Sequence, residues 1–158
     1  MHPTQNPPTA PALPDDLTPA DVLGCAARYL ELHDWYQGEL FRNYRHVVGR
    51  LRWLTPAACA YGAIMMAVFG RPVPLDNRDN NHGGWRLYSR SCAALDDYLT
   101  LDAATDVCED DEDDYGVGYV HGDAWNDAEG RTRAEVVYAL KGAALYYART
   151  HAPAGGAR

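Results

Sequence analysis

Cys59, His121 and Asn126 occur in the chain order that a Cys-His-Asn hydrolase would need, with Asp123 as an alternative third member. A thiol in the first turns of a helix is drawn toward the nucleophilic thiolate, and Cys59 stands near the start of an apolar helical pattern. Chain order is the whole of that argument. None of the local sequence signatures of cysteine-protease nucleophiles is present, and a thiol on an all-apolar helix ordinarily serves as a small buried hydrophobe. A second constellation is Trp125, Asn126 and Asp127 with Arg131. These four could line a cleft as ligand contacts. Equally, Trp125 could plug the core while Asn126 and Asp127 bond the turn backbone and orient Arg131.

Metal chemistry finds less support. His121, Asp123 and Asp127 are suitable ligand types without a recognised spacing. The acidic run Glu109 to Asp114 does not form a twelve-residue calcium loop from either Asp110 or Asp111, because the required glycine and terminal Glu do not both fall in place. The four cysteines Cys25, Cys59, Cys92 and Cys108 never form the close pairs of zinc or redox motifs. Burial as small hydrophobes is the expectation for Cys25, Cys59 and Cys92, while Cys108 borders the acidic loop. No metal and no cofactor are expected.

Charge narrows the partners. The 158 residues carry 14 basic and 22 acidic side chains, a net charge of -8, which is the wrong sign for a domain that neutralises phosphates. Nucleic acid is therefore not an expected partner. The charges are segregated: Asp96 to Gly130 is rich in acids and has no Lys or Arg, whereas Leu40 to Leu75 bears Arg42, Arg45, Arg50, Arg52 and Arg71 and no acid. The two segments are expected to face each other, within one chain or across a homodimer. With 47% hydrophobic and 23% charged residues the composition is that of a soluble globular domain. Its longest uncharged apolar stretch, Pro56 to Gly70, is shorter than the roughly 20 residues that cross a bilayer, and no signal peptide is evident. A cytoplasmic protein without membrane contact is expected.

The elements that must position these residues read as helices. Five prolines in Met1 to Asp16 make residues 1–16 a flexible arm. Thr18, Pro19 and Asp21 then begin a helix over 19–33, with Val22, Leu23, Ala26, Tyr29 and Leu30 at helical spacing. Leu40 to Leu51 suits either a helix or a hairpin with a turn at Gly49. Leu54-Thr55-Pro56-Ala57 repeats the start of the first helix, so a capped helix is expected to begin there and run to Gly70. It carries no charge on any face and must be surrounded. Residues 71–84 read as a long loop, followed by a helix from Trp85 to about Asp102 and a short extended piece around 118–121. Thr132-Arg133-Ala134-Glu135 is a capping box for the last helix, with Val136, Val137, Leu140, Ala143, Ala144 and Tyr147 as its apolar stripe.

Three pieces, Trp35-Tyr36-Gln37-Gly38, Cys59-Ala60-Tyr61-Gly62-Ala63-Ile64 and Trp125-Asn126-Asp127 with Gly130-Arg131-Thr132 and Glu135-Val136, resemble in that order a small uncharacterised family of actinobacteria and their phages. That family is typically helical, with a C-A-x-G-A central helix and a W-N-D-x-x-G-R-T-x-x-E-V signature. The resemblance runs from about Asp21 to Ala148, departs in the longer 71–84 loop and acidic run, and implies fold and origin without an activity. The abundance of Arg over the single Lys141 agrees with a GC-rich host.

The expected fold is mainly α: a bundle of four to five helices around a central apolar helix, with room for one small extended or hairpin element. It comprises an arm over 1–16, one helical domain over 17–151 and a tail over 152–158. The function expected is a non-enzymatic protein-interaction or regulatory module that binds a protein partner or forms a homodimer. The alternative is a small cysteine-dependent hydrolase or transferase using Cys59, His121 and Asn126. The candidate binding residues are Trp125, Asn126, Asp127 and Arg131.

Overall fold

The computed structural model of the chain describes residues 16–42, 55–73, 83–105 and 120–152. Among them α1 (Pro19–Leu32) starts where its residues dictate. The Thr18 hydroxyl oxygen accepts from the Asp21 backbone N–H, and the Asp21 carboxylate accepts from the Thr18 backbone and hydroxyl, a reciprocal box that satisfies otherwise free N–H groups. Those bonds hold the Asp21 carboxyl below the usual carboxylate range. Val22, Leu23, Ala26, Ala27 and Leu30 form the buried stripe. Cys25 lies on the opposite side and is exposed, which corrects the expectation that it packs as a core thiol. Gly24 shares that outer side, and a methyl group there would meet nothing within 4 Å. Gly24→Ala is therefore expected to stabilise the fold by about 0.4 to 1 kcal/mol through the lower backbone entropy of the unfolded chain. The denaturation midpoint measures this, and an unchanged or lower midpoint would contradict it.

After α1 the chain is held extended by residue 58. The Ala58 N–H donates to Asp34 O and its carbonyl accepts from Tyr36 N–H, while Arg42 N–H donates to Ala57 O and Cys59 N–H to Leu40 O. Single bridges thus join Trp35 and Phe41 to Ala58. This pairing explains a second correction: Thr55 and Pro56 do not begin the central helix. Residues 55–59 are committed to an extended path, and α2 (Ala60–Phe69) is capped by Cys59, whose Sγ accepts from Gly62 N–H.

The central helix is enclosed as its uncharged sequence requires. Ala60, Gly62, Ala63, Ile64, Met65, Met66 and Val68 are buried around its whole circumference, and α2 packs against α1, α3 (Gly83–Thr105) and the short α4 (Gly122–Asn126). On α3 the buried line runs through Leu87, Ser91, Leu95 and Leu99, with Ser91 satisfying its hydroxyl on Leu87 O. The last helix, α5 (Arg133–Thr150), has the Thr132–Glu135 capping box in place and buries Val136, Ala139, Leu140 and Ala143 against α1 and α3. Lys141 on α5 also pairs with Glu31 on α1.

The fold is accordingly a mainly α bundle with five helices among the described residues. None of them is long and apolar enough to cross a membrane. The N-terminal arm up to residue 15, most of the helix-or-hairpin segment 40–53, the centre of the 71–84 loop, Cys108, the acidic run and residues 153–158 lie outside the described residues. Most of the proposed pairing between the acidic and arginine-bearing segments lies there too.

Candidate functional site

The three sequence pieces that carry the resemblance meet at one side chain, Asn126, which is 0% exposed. Its Oδ1 accepts from the Trp35 indole N–H at 2.9 Å and from the Ala60 backbone N–H at 3.1 Å. Its Nδ2 donates to Asp127 Oδ1 at 2.7 Å and reaches Tyr36 O at 3.4 Å. The Asn126 carbonyl accepts from Gln37 Nε2, which also donates to Ala128 O, and Asp127 Oδ1 takes the Gly38 N–H. One amide therefore joins the segment after α1, the first turn of α2 and the end of α4. An amide suits the place because it needs both an acceptor and a donor there, without charge.

Trp125, read from sequence as a candidate core plug, is instead half-buried at the edge of the core. The Arg131 guanidinium lies 3.9 Å from its ring centroid, and Arg131 Nε donates to Trp125 O. Trp125 and Arg131 line a cleft of about 660 Å³ with Tyr98, Asp102, Glu135 and Tyr138. Asp127 faces a different cleft. The four candidate binding residues thus adjoin one another in the chain but do not converge on one pocket.

That other cleft, of about 620 Å³, opens between the 38–40 segment, α2, α3 and α4. Buried Cys59, Trp85, Tyr88 and Asp96 line it together with Tyr61 and Cys92, and Glu39, Asp123 and Asp127 stand exposed at its rim. Among the described lining residues four are acidic and none is Lys or Arg. Tyr88 and Trp85 pack edge to face at 5.5 Å between centroids, with Phe69 against Trp85 at 4.9 Å, so the aromatic wall is braced from behind.

Asp96 is the deepest acid of the cleft, at 7% exposure. Its Oδ1 accepts from the Tyr61 hydroxyl at 2.6 Å and the Gly122 N–H at 2.8 Å. Gly122 is needed at this contact: a Cβ there would lie 3.0 Å from both Asp96 Oδ1 and the Tyr61 ring. His121 Nδ1 is 3.8 Å from Asp96 Oδ2, with the imidazole largely exposed. Burial pushes the Asp96 carboxyl above the usual range, outweighing the opposing hydrogen bonds from Tyr61 and Gly122. A raised folded value favours the folded state while the group is protonated, and that advantage disappears as pH rises through the folded value. Asp96→Asn is thus expected to equal or exceed the parent in stability at pH 7. The parent should regain ground relative to the variant as pH falls toward the unfolded Asp value of about 4. Paired thermal melts check this, and a gap that moves in the other direction would contradict it.

Cys59 lines the same cleft, but its chemistry is not that of an activated thiol. Sequence placed it in the first turns of a helix that would lower its pKa; the structure makes it the cap residue, and burial pushes the thiol up to about 11. Nearby Asp127 and Asp123 add to the rise. His121 lies beside Asp96, and Asn126 is fully committed to the knot described above. Native-state alkylation at neutral pH should accordingly label exposed Cys25 well before Cys59, as read by peptide mass mapping. Faster labelling of Cys59 would contradict the burial argument.

Sequence reading missed Tyr61, Trp85, Tyr88 and Asp96 as cleft residues. One signal for Asp96 was present, since Tyr88, Cys92, Leu95, Asp96 and Leu99 share one helical face. An acid inside an apolar stripe needs partners.

No match is found among curated proteins or solved structures. One family model does match, over residues 14–145, and so takes in all three pieces that meet at Asn126. The chain belongs to that family, DUF6197, a family of unknown function.

Proposed function

We propose that this protein is a non-enzymatic protein-interaction module whose cleft receives a basic side chain of a protein partner. The observation that carries the reading is the cleft's lining: Glu39, Asp96, Asp123 and Asp127 around an aromatic wall, with no Lys or Arg among the described lining residues. A cation entering there exchanges water for carboxylates and aromatic faces. The protonated, buried Cys59 argues against the hydrolase or transferase alternative, because the thiolate is the nucleophile. A net charge of -8 on each chain argues for a basic partner over a homodimer and against nucleic acid. Arg-rich usage supports the proposed origin in a GC-rich actinobacterium or its phage.

Calorimetric titration with a short Lys- and Arg-containing peptide tests the reading. Binding should weaken with added salt and fall in Glu39→Gln/Asp123→Asn, which removes two rim charges without touching the knot at Asn126. Binding that ignores both salt and the double substitution would refute it.

A further inference from the structure

We infer that a basic hollow over the first turns of α3 is a second binding site, for the dianionic head of a phosphate monoester. The inference goes beyond the reading of the acidic cleft and does not rest on it. The hollow, of about 330 Å³, is lined by Trp85, Arg86, Ser89 and Arg90, with no acid among these described residues, on a chain of net charge -8. Elsewhere Arg28 and Lys141 each reach Glu31, and Arg131 reaches Glu135. Arg86 and Arg90, both exposed, pair with no carboxylate among the described residues. They stand one helical turn apart on one face, where like charges repel. They also stand near the N-terminus of a long helix, whose dipole already disfavours positive charge. An anion bound between the two guanidiniums relieves both costs.

The chemical class follows from the donors. Arg90 is held in place: one of its terminal nitrogens donates to the Tyr147 hydroxyl at 2.8 Å, and that ring stacks on His151 at 3.9 Å between centroids. The bond uses a neutral oxygen, so the charge stays uncompensated and further N–H groups are left over. The side chains of Arg86 and Ser89 donate to no group of the described chain. Trp85 is buried and its indole N–H likewise has no acceptor there; since no buried side-chain nitrogen is left unpaired, that N–H opens to water where Trp85 lines a hollow. A carboxylate brings one charge and two oxygens, and a single guanidinium fork satisfies both. A phosphate monoester brings three terminal oxygens and close to two negative charges, which match two guanidiniums and a hydroxyl together. A phosphodiester has one charge and two free oxygens, and lacks the third contact.

The test is an NMR titration of the full chain at constant ionic strength, above the second phosphate pKa of about 6. The probes are methyl phosphate, blocked O-phosphoserine, blocked glutamate and dimethyl phosphate. Methyl phosphate should shift the Arg86, Ser89 and Arg90 amides and the Trp85 indole signal, and bind about fivefold or more tightly than glutamate or dimethyl phosphate. Arg86→Gln, at an exposed side chain without partners, should weaken it about fivefold or more, whereas Arg133→Gln, at an exposed arginine outside the hollow, should change it by less than about twofold. Blocked phosphoserine binding as methyl phosphate does would support recognition of the phosphate head alone, and tighter binding would support a phosphorylated protein as its source. Glutamate or diester binding as tight as methyl phosphate would overturn the monoester assignment. Equal losses in Arg86→Gln and Arg133→Gln would overturn the site in favour of general charge attraction, and so would the absence of shifts at the start of α3. Each of these results leaves the reading of the acidic cleft to its own peptide titration.

Discussion

Asn126→Ala is expected to lower the unfolding free energy by about 3 to 5 kcal/mol, the largest effect of any single polar truncation in the described core. The substitution leaves the Trp35 indole N–H and the Ala60 backbone N–H without their acceptor, both of them facing Asn126 Oδ1 from different segments. Each such loss costs on the order of 1 to 3 kcal/mol when water cannot replace the partner, and the vacated volume adds to it. Asn126→Asp should not rescue the fold. It would restore the acceptor but set a second carboxylate oxygen against Asp127 Oδ1, where Nδ2 now donates at 2.7 Å. Urea denaturation of both variants provides the measurement. A midpoint within experimental error of the parent for Asn126→Ala would show that the three segments are held by packing alone.

Gly62→Ala is expected to cost about 3 kcal/mol despite the better helix propensity of alanine, which favours the variant by at most about 1 kcal/mol. A Cβ at residue 62 would lie 2.0 Å from the Leu40 carbonyl oxygen and 2.9 Å from its carbon. These are backbone atoms, so no rotamer change relieves the overlap. Leu40 O also accepts the Cys59 N–H, so moving the 38–40 segment breaks the bond that sets the start of α2. The same segment forms one rim of the cleft. Loss of peptide binding should therefore accompany the loss of stability. A Gly62→Ala protein with parental stability would mean that the segment and α2 are not in close contact.

Much of the helical frame could be read from local chemistry. Thr18 and Thr132 announce their helices through side chains that bond within three residues, so neighbouring sequence contains the whole cause. The enclosure of α2 is legible because ten residues without a charge have no face to give to water. The start of α2 was not, because Thr55-Pro56 has the right local chemistry and loses to pairing between Ala58 and the distant residues 34–36 and 41–42. Cys25 shows residue type misleading where periodicity was sufficient: it lies across the helix from Val22, Leu23, Ala26 and Leu30, and the stripe decides burial.

The candidate site was less legible for the same physical reason. Asp127 and Cys59 are legible as candidates from residue type and position and do line the cleft, but Tyr61, Asp96 and Gly122 are brought together from three separate helices. Local pattern encodes neither that meeting nor the saturation of one Asp96 oxygen. The W-N-D piece stood out in the sequence as a motif, and its buried member proves to be the tie among three segments.

Zero-length carbodiimide coupling to a lysine-containing peptide, followed by mass mapping of the modified acids, tests most directly the claim that the cleft receives a basic side chain. The cross-links should fall on Glu39, Asp123 and Asp127 at the rim and diminish when excess uncoupled peptide competes. Cross-links confined to the run Glu109 to Asp114, with the rim acids unmodified, would contradict the account and transfer the basic partner to that run instead.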